Sequence, residues 1–330
     1  MIIVRFYDAV MIHLQTAMAM LLSAISTGLA AAPYAYITNQ GSNNVSVIDL
    51  ESRQVIQTLD VGEKPAGIAV SQADNRAYVS NPESREITVI NTEKQEVITS
   101  VSVGNGPVGI AVSPDGKQTF VSDWYDHAVY VIDNSRLVVS DTIQVGHSPA
   151  GLDLSPDGKK LYVANRDDNN LMVFDRERKE LLETIMVGKA PFGVTVSHDG
   201  ELVFVANVQS SDISIINSLT NKVIKTVHTG LFPYGIAHDQ LGNRIFVTNQ
   251  RDNTVSVISL DDFKLTHTLD VGDYPEGIDI NPERNEIYVA NWFDDNLIVI
   301  NTQSLEIIDE IATGTGSRAF GRFIKFPNSP

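Results

Sequence analysis

An all-β chain built from seven copies of one small unit is what this sequence predicts, and three observations lead there. First, at an unbroken spacing of 42 residues, an aromatic residue is followed by a β-branched one, a small one and then Asn or Asp. The copies are Tyr36-Ile-Thr-Asn39, Tyr78-Val-Ser-Asn81, Phe120-Val-Ser-Asp123, Tyr162-Val-Ala-Asn165, Phe204-Val-Ala-Asn207, Phe246-Val-Thr-Asn249 and Tyr288-Val-Ala-Asn291. Second, Gly62, Gly104, Gly146, Gly188, Gly230 and Gly272 each open a Gly-x-x-Pro-x-Gly segment at the same period. Two markers in phase define a true repeat, whose units bury their apolar faces only by stacking on neighbours. Third, apolar and polar residues alternate in short runs, as in Val45-Ser-Val-Ile-Asp49 and Ile87-Thr-Val-Ile-Asn91, and a period of two means strand.

Four strands can be marked per unit: Gly109–Ser113, Gln118–Ser122, Ala128–Asp133 and Val138–Ile143. Ser113-Pro-Asp-Gly116 and Ser155-Pro-Asp-Gly158 join the first strand to the second, because Pro presets φ, Asp caps the turn and Gly accepts positive φ. Short polar stretches such as Arg166-Asp-Asp-Asn169 close the next hairpin. A four-stranded antiparallel unit repeated radially leaves only short, protected edges, so the expectation is a seven-bladed β-propeller. The first unit lacks a first strand, and Gly321-Arg-Phe-Ile-Lys-Phe326 at the other end can supply it. Pairing of N- and C-terminal strands then closes the ring without an open edge.

With these residues in place, the chain resembles the YVTN-type β-propeller repeat proteins over residues 34–326. The resemblance implies the fold. It does not choose a function, since similar propellers serve as surface proteins, binding proteins and subunits of redox enzymes, and fold alone does not imply activity.

Residues 1–31 read as a secretory signal with an apolar stretch from Met11, and residues 32–330 as a single propeller domain. The expected location is the periplasm or outside the cell, as a monomer with no membrane insertion once the signal is cleaved. Without cysteine, lipoprotein anchoring, disulfides, thiolate metal sites and covalent attachment of c-type haem are excluded. Cleavage removes Arg5 with Asp8, so the mature net charge stays at −17. Such a surface repels polyphosphate and argues against a nucleic-acid partner.

Function is expected where the copies differ. The blade connectors and the loops between second and third strands emerge on one face, around the channel mouth. Connector positions carry His147, Lys189, Phe192, Phe232, Tyr234, Tyr274 and Glu276, with Phe192, Tyr234 and Glu276 forming a mixed aromatic and acidic rim. The loops add Trp124, Tyr125 and His127 in one blade and Trp292 and Phe293 in another. Aromatic residues on variable loops point to a protein partner or small ligand. In the seventh connector, Gly314-Thr-Gly-Ser-Arg-Ala-Phe-Gly321 reads as two residues longer than its siblings and lacks Pro, which brings Arg318 to the funnel. The alternative roles for these residues are blade packing and closure of the channel.

No nucleophile elbow, phosphate-binding loop, dinucleotide fingerprint or paired-His metal motif occurs, so no catalytic residue, metal or cofactor is assigned. A site from His127, His147 and Asp126 holding a metal is one weak alternative; Asp153 or Asp279 working with His147 as an acid/base pair is another. His238 stands at an apolar inner-strand position and reads as a satisfied core histidine, the alternative being a residue that lines the channel. The expected function is therefore an exported, non-enzymatic propeller that binds through its upper face. Its rivals are an accessory subunit of a periplasmic redox enzyme and a lactonase- or lyase-like enzyme working in the funnel.

Overall fold

The computed structural model describes residues 33–327, so the signal assigned to residues 1–31 lies outside the described residues. Pro33–Phe326 form one compact unit. Its strands make seven antiparallel sheets, one per 42-residue repeat, and these are the blades. In blade 3 the strands run Pro107–Val112, Gln118–Asp123, Ala128–Asp133 and Val138–Gln144, within a few residues of the sequence expectation. The Gly116 and Gly158 turns take φ +68° and +69°, and each glycine N–H donates to the carbonyl of the Ser that opens its turn.

The aromatic of each repeat is fully buried. Tyr78 of blade 2 packs with Ile110, Val121 and Ile132 of blade 3, so these rings sit between blades as glue. The Asn closing the motif caps the following hairpin. Asn207 Nδ2 donates to Asp212 Oδ1 and Ser214 Oγ, and Asn249 repeats the pattern with Thr254 and Ser256. The two sequence markers are in phase because they touch: a Cβ on Gly188 would lie 2.6 Å from Asn207 Cγ. The third motif position joins blades where it carries a hydroxyl. Thr38, Ser80, Ser122 and Thr248 donate to the carbonyls of Ala66, Val108, Ala150 and Glu276, each 28 residues on in the next inner strand.

Closure follows the expectation, with one addition. Ile324–Lys325 pair antiparallel with Tyr34–Ala35, and the Tyr36 N–H donates to the Phe323 carbonyl. Just before that, Phe320–Arg322 pair in parallel with Gly67–Ala69 of blade 2. Gly321 permits this course, with φ +124° and no room for a Cβ, which would lie 2.2 Å from the Ile68 carbonyl oxygen. The C-terminal strand thus binds both of the first two blades.

The seventh connector is not longer than its siblings, which corrects the sequence reading. Gly314 packs on Asn39 as Gly188 does on Asn207, and Ser317 bridges to Asn39 as Pro149 pairs with Asn165. Ser317 occupies the proline place, and Arg318 follows Glu276 by one full repeat. Ring closure sets that register, and Gly321 belongs to the strand beyond the connector.

Asp279 clasps the closing strand. Its Oδ2 accepts the Phe323 and Ile324 N–H groups at 2.8 and 3.0 Å, and its Oδ1 accepts from Ile280. Burial pushes its carboxyl up to about 6, against the opposing pull of these bonds and of Arg322.

Two predictions follow from this closure. Deleting residues 317–330 removes the inner strand of blade 1, and the truncated chain should lose its cooperative thermal transition and β-sheet circular dichroism; an unchanged midpoint contradicts closure. Because the folded state holds the Asp279 proton more tightly than an unfolded Asp, which titrates near about 3.9, its contribution is full below that pH and is lost as pH rises through the folded value. Urea denaturation across pH should therefore show the wild type losing stability relative to Asp279→Asn between about pH 4 and pH 7; a difference that is flat or grows with pH contradicts a carboxyl raised by burial.

Candidate functional site

The residue after each connector proline, or after Ser317 in the seventh, forms a ring of seven: Ala66, Val108, Ala150, Phe192, Tyr234, Glu276 and Arg318. Small residues in three blades and large ones in four make an uneven mouth. Phe192 and Tyr234 stack at 4.2 Å, and Phe320 packs edge-on against both at 5.0 and 5.3 Å. Phe320 belongs to the strand that pairs with blade 2, yet it touches blades 5 and 6 and approaches Gly151 of blade 4. Its ring therefore crosses the channel and stops it.

Beside this plug lies a buried polar network. Arg318 Nε and Nη2 donate to the two carboxylate oxygens of Glu276, Nη2 also to the Tyr234 hydroxyl, and Gln250 supplies a further bond to Glu276 at 2.7 Å. Glu276 is only 1% exposed. Burial raises its carboxyl pKa, with Arg318 opposing. Burial raises the Tyr234 phenol as well. So the expected rim of Phe192, Tyr234, Glu276 and Arg318 does assemble, but as a sealed plug. The reason is Phe320, whose siblings Ile68, Ile110 and Leu152 are too short to reach across.

The Arg318 guanidinium lies over the Trp292 ring at 4.9 Å, linking the plug to a second aromatic group. Trp292 stacks on Phe293 at 5.3 Å and 11°, and Tyr274 packs against both. Phe293 is 65% exposed. Tyr274 has φ +61° at a connector place that repeats with positive φ in Lys64, Ser148, Ala190 and Phe232. A bulky ring held there costs of order 1 kcal/mol more than a glycine. In the other Trp-bearing loop, Tyr125 is exposed at 69%, whereas Trp124 is half-buried between Phe192 and Arg166. Arg251 covers Phe232 at 3.8 Å, and the exposed Lys189 is tied by its backbone, its N–H donating to Ser210 and its carbonyl accepting from Gln209.

His127 and His147 do meet, their rings 4.9 Å apart. Their partners differ from those expected. His147 bonds Asp168 through Nδ1 at 2.8 Å, and His127 Nδ1 accepts the Ser148 N–H. Asp126 instead takes Asn105 and the Tyr130 hydroxyl. Among the described residues, no group of three or more His, Asp and Glu side chains is arranged to hold a metal. Nor does His147 pair with Asp153 or Asp279. Those carboxylates sit at the far end of the inner strands, where Arg322 Nη2 bonds Asp153 Oδ2 at 3.0 Å. Phe320 and Arg322 escaped the sequence reading; counting the 42-residue register through the seventh connector finds both.

These features define a seven-bladed β-propeller whose channel is stopped by its own C-terminal strand and whose exposed aromatics stand on upper-face loops. Comparison agrees on the fold. A family described as a seven-bladed β-propeller lactonase matches residues 135–222, and a YNCE-like β-propeller family matches residues 24–154, each under half of the chain. Hydrazine synthase from Kuenenia stuttgartiensis is similar at TM-score 0.73 and 22% identity, over 82% of this chain and 92% of that one. A functionally unknown protein from Desulfotomaculum acetoxidans gives 0.74 and 15%, over 87% and 99%. Dihydro-haem d1 dehydrogenase NirN, in complex with DHE, gives 0.64 and 14%, over 84% and 72%. At these identities the likeness speaks to the fold alone. No curated protein matches the sequence.

Arg318→Ala should cost about 3–5 kcal/mol, since it strands the Glu276 charge. Phe293→Ala should stay within about 0.5 kcal/mol, as exposed positions do. Urea denaturation of both variants checks the assignment; a neutral Arg318→Ala contradicts a buried pair that holds the plug.

Proposed function

We propose that the protein is an exported, non-enzymatic binding propeller that docks a protein partner through its upper face. The observation that supports this most is the pile of Tyr274, Trp292 and Phe293. Three rings stand together on a connector and a loop, one of them mostly exposed, beyond a plug that already seals the channel without them. Exposed aromatic anchors give much contact area at small entropic cost. Tyr125 extends the same face. Export rests on the apolar segment from Met11 that precedes the first repeat.

A second reading, an accessory subunit of an exported redox enzyme, has its own support. The chain covers 92% of a hydrazine synthase chain, so that chain is little more than a propeller. The lactonase-like reading has less, because its acid and its histidine stand at opposite ends of the channel wall.

Capture from the native exported fraction, followed by titration of the recovered partner, tests the face. Phe293→Ala and Trp292→Ala should each weaken binding by roughly 2 kcal/mol or more, about thirtyfold. Asp157→Ala, in a turn on the opposite face, should leave it unchanged. Retained capture by the aromatic variants and loss in Asp157→Ala overturns the assignment. A recovered partner with visible cofactor absorbance favours the redox-subunit reading.

A further inference from the structure

The lower half of the channel holds polar groups whose donors the fold uses only in part. The last inward place of the inner strand is aliphatic in five repeats: Val70, Val112, Leu154, Val196 and Ile280. His238 and Arg322 fill the other two, and His198 follows in the turn below blade 5. Phe320, two residues before Arg322 on the same strand, forms the roof with Phe192 and Tyr234. The result is a cup, closed above by the aromatic plug and open at the lower face.

Its two acids are already occupied. Asp153 accepts from the Leu154 and Val196 N–H groups and from Arg322, and Asp279 accepts three backbone N–H groups. The spare groups are donors. Arg322 uses Nη2 alone, and its side chain is 59% exposed although the blades surround it. His238 Nδ1 accepts the His198 N–H, which leaves its ring proton on Nε2. Burial lowers the pKa of both imidazoles, with the Arg322 charge adding to the effect.

We propose that this cup binds an oxyanion, the carboxylate or phosphate group of a small solute, with the Arg322 guanidinium as the principal contact and His238 Nε2–H as a second donor. The planar fork of arginine matches two oxygens of such a group. Low-dielectric walls strengthen that contact. Arg322 also ties the closing strand to Asp153 of blade 4, and His238 accepts the His198 N–H, while an aliphatic residue serves at the same place in the other blades. The proposal is independent of the upper-face reading.

Isothermal titration with inorganic phosphate and with malonate, on the full chain, tests it. The wild type should bind at least one probe saturably at a single site. Arg322→Gln should weaken that binding tenfold or more, and His238→Gln should weaken it by a smaller factor. Lys159→Gln, an equal charge change in an exposed lower-face turn, should leave it unaltered. Which probe binds tells which group supplies the oxyanion. Should Arg322→Gln fail to fold, His238→Gln against Lys159→Gln decides. Absence of saturable binding of both probes to the wild type overturns the proposal, as does a Lys159→Gln loss equal to that of the cup variants.

Discussion

The ring depends on one short antiparallel pairing, that of Tyr34–Ala35 with Ile324–Lys325. Six blades are continuous in sequence, but the first takes its inner strand from the opposite end of the chain. Without that pairing, the outward cascade of blade-on-blade burial has two open edges instead of none. Asp279 and the Tyr36 to Phe323 hydrogen bond hold the same few residues from either side. The Arg53 guanidinium adds an outer clamp, reaching from blade 1 to Glu286 and Asp309 of blade 7.

That strand also determines what the channel can do. Arg318, Phe320 and Arg322 alternate along it; Arg318 turns back to Glu276 and Trp292 of blade 7, while Phe320 and Arg322 reach across to blades 5, 6 and 4. From top to bottom they supply an ion pair to Glu276, an aromatic stopper and an open guanidinium. One segment therefore closes the ring, divides the channel into two compartments and leaves the lower one polar. Sequence changes there act on stability and on recognition together, which couples the two in a way the surface loops are not.

Most of the architecture was legible because the repeat states it seven times. The motif Asn or Asp and the connector glycine recur together since they contact each other in every blade, so their phase reports packing directly. The site was less legible. Phe192, Tyr234 and Glu276 could be placed at the mouth, but their burial depends on Phe320, a residue from another part of the ring. With Ser317 in place of Pro, and Ala319 where a second Gly stands elsewhere, the register through the seventh connector was hidden. His147 and Asp153 share a connector and strand, yet six extended residues separate them by roughly 20 Å. Alternation gives the side of a sheet that a residue faces; it does not bring the two ends of a strand together.

The central claim is that the C-terminal strand is an integral part of the ring, locked at the stability of the whole domain. Native-state hydrogen exchange measures this directly, through the amides of Tyr36, Arg318, Phe323 and Ile324, all of which are hydrogen-bonded at the closure. The account predicts that these amides exchange only by global unfolding, at the same rate as the central-strand amide of Val247. Rapid exchange at the closure while Val247 stays protected would contradict it.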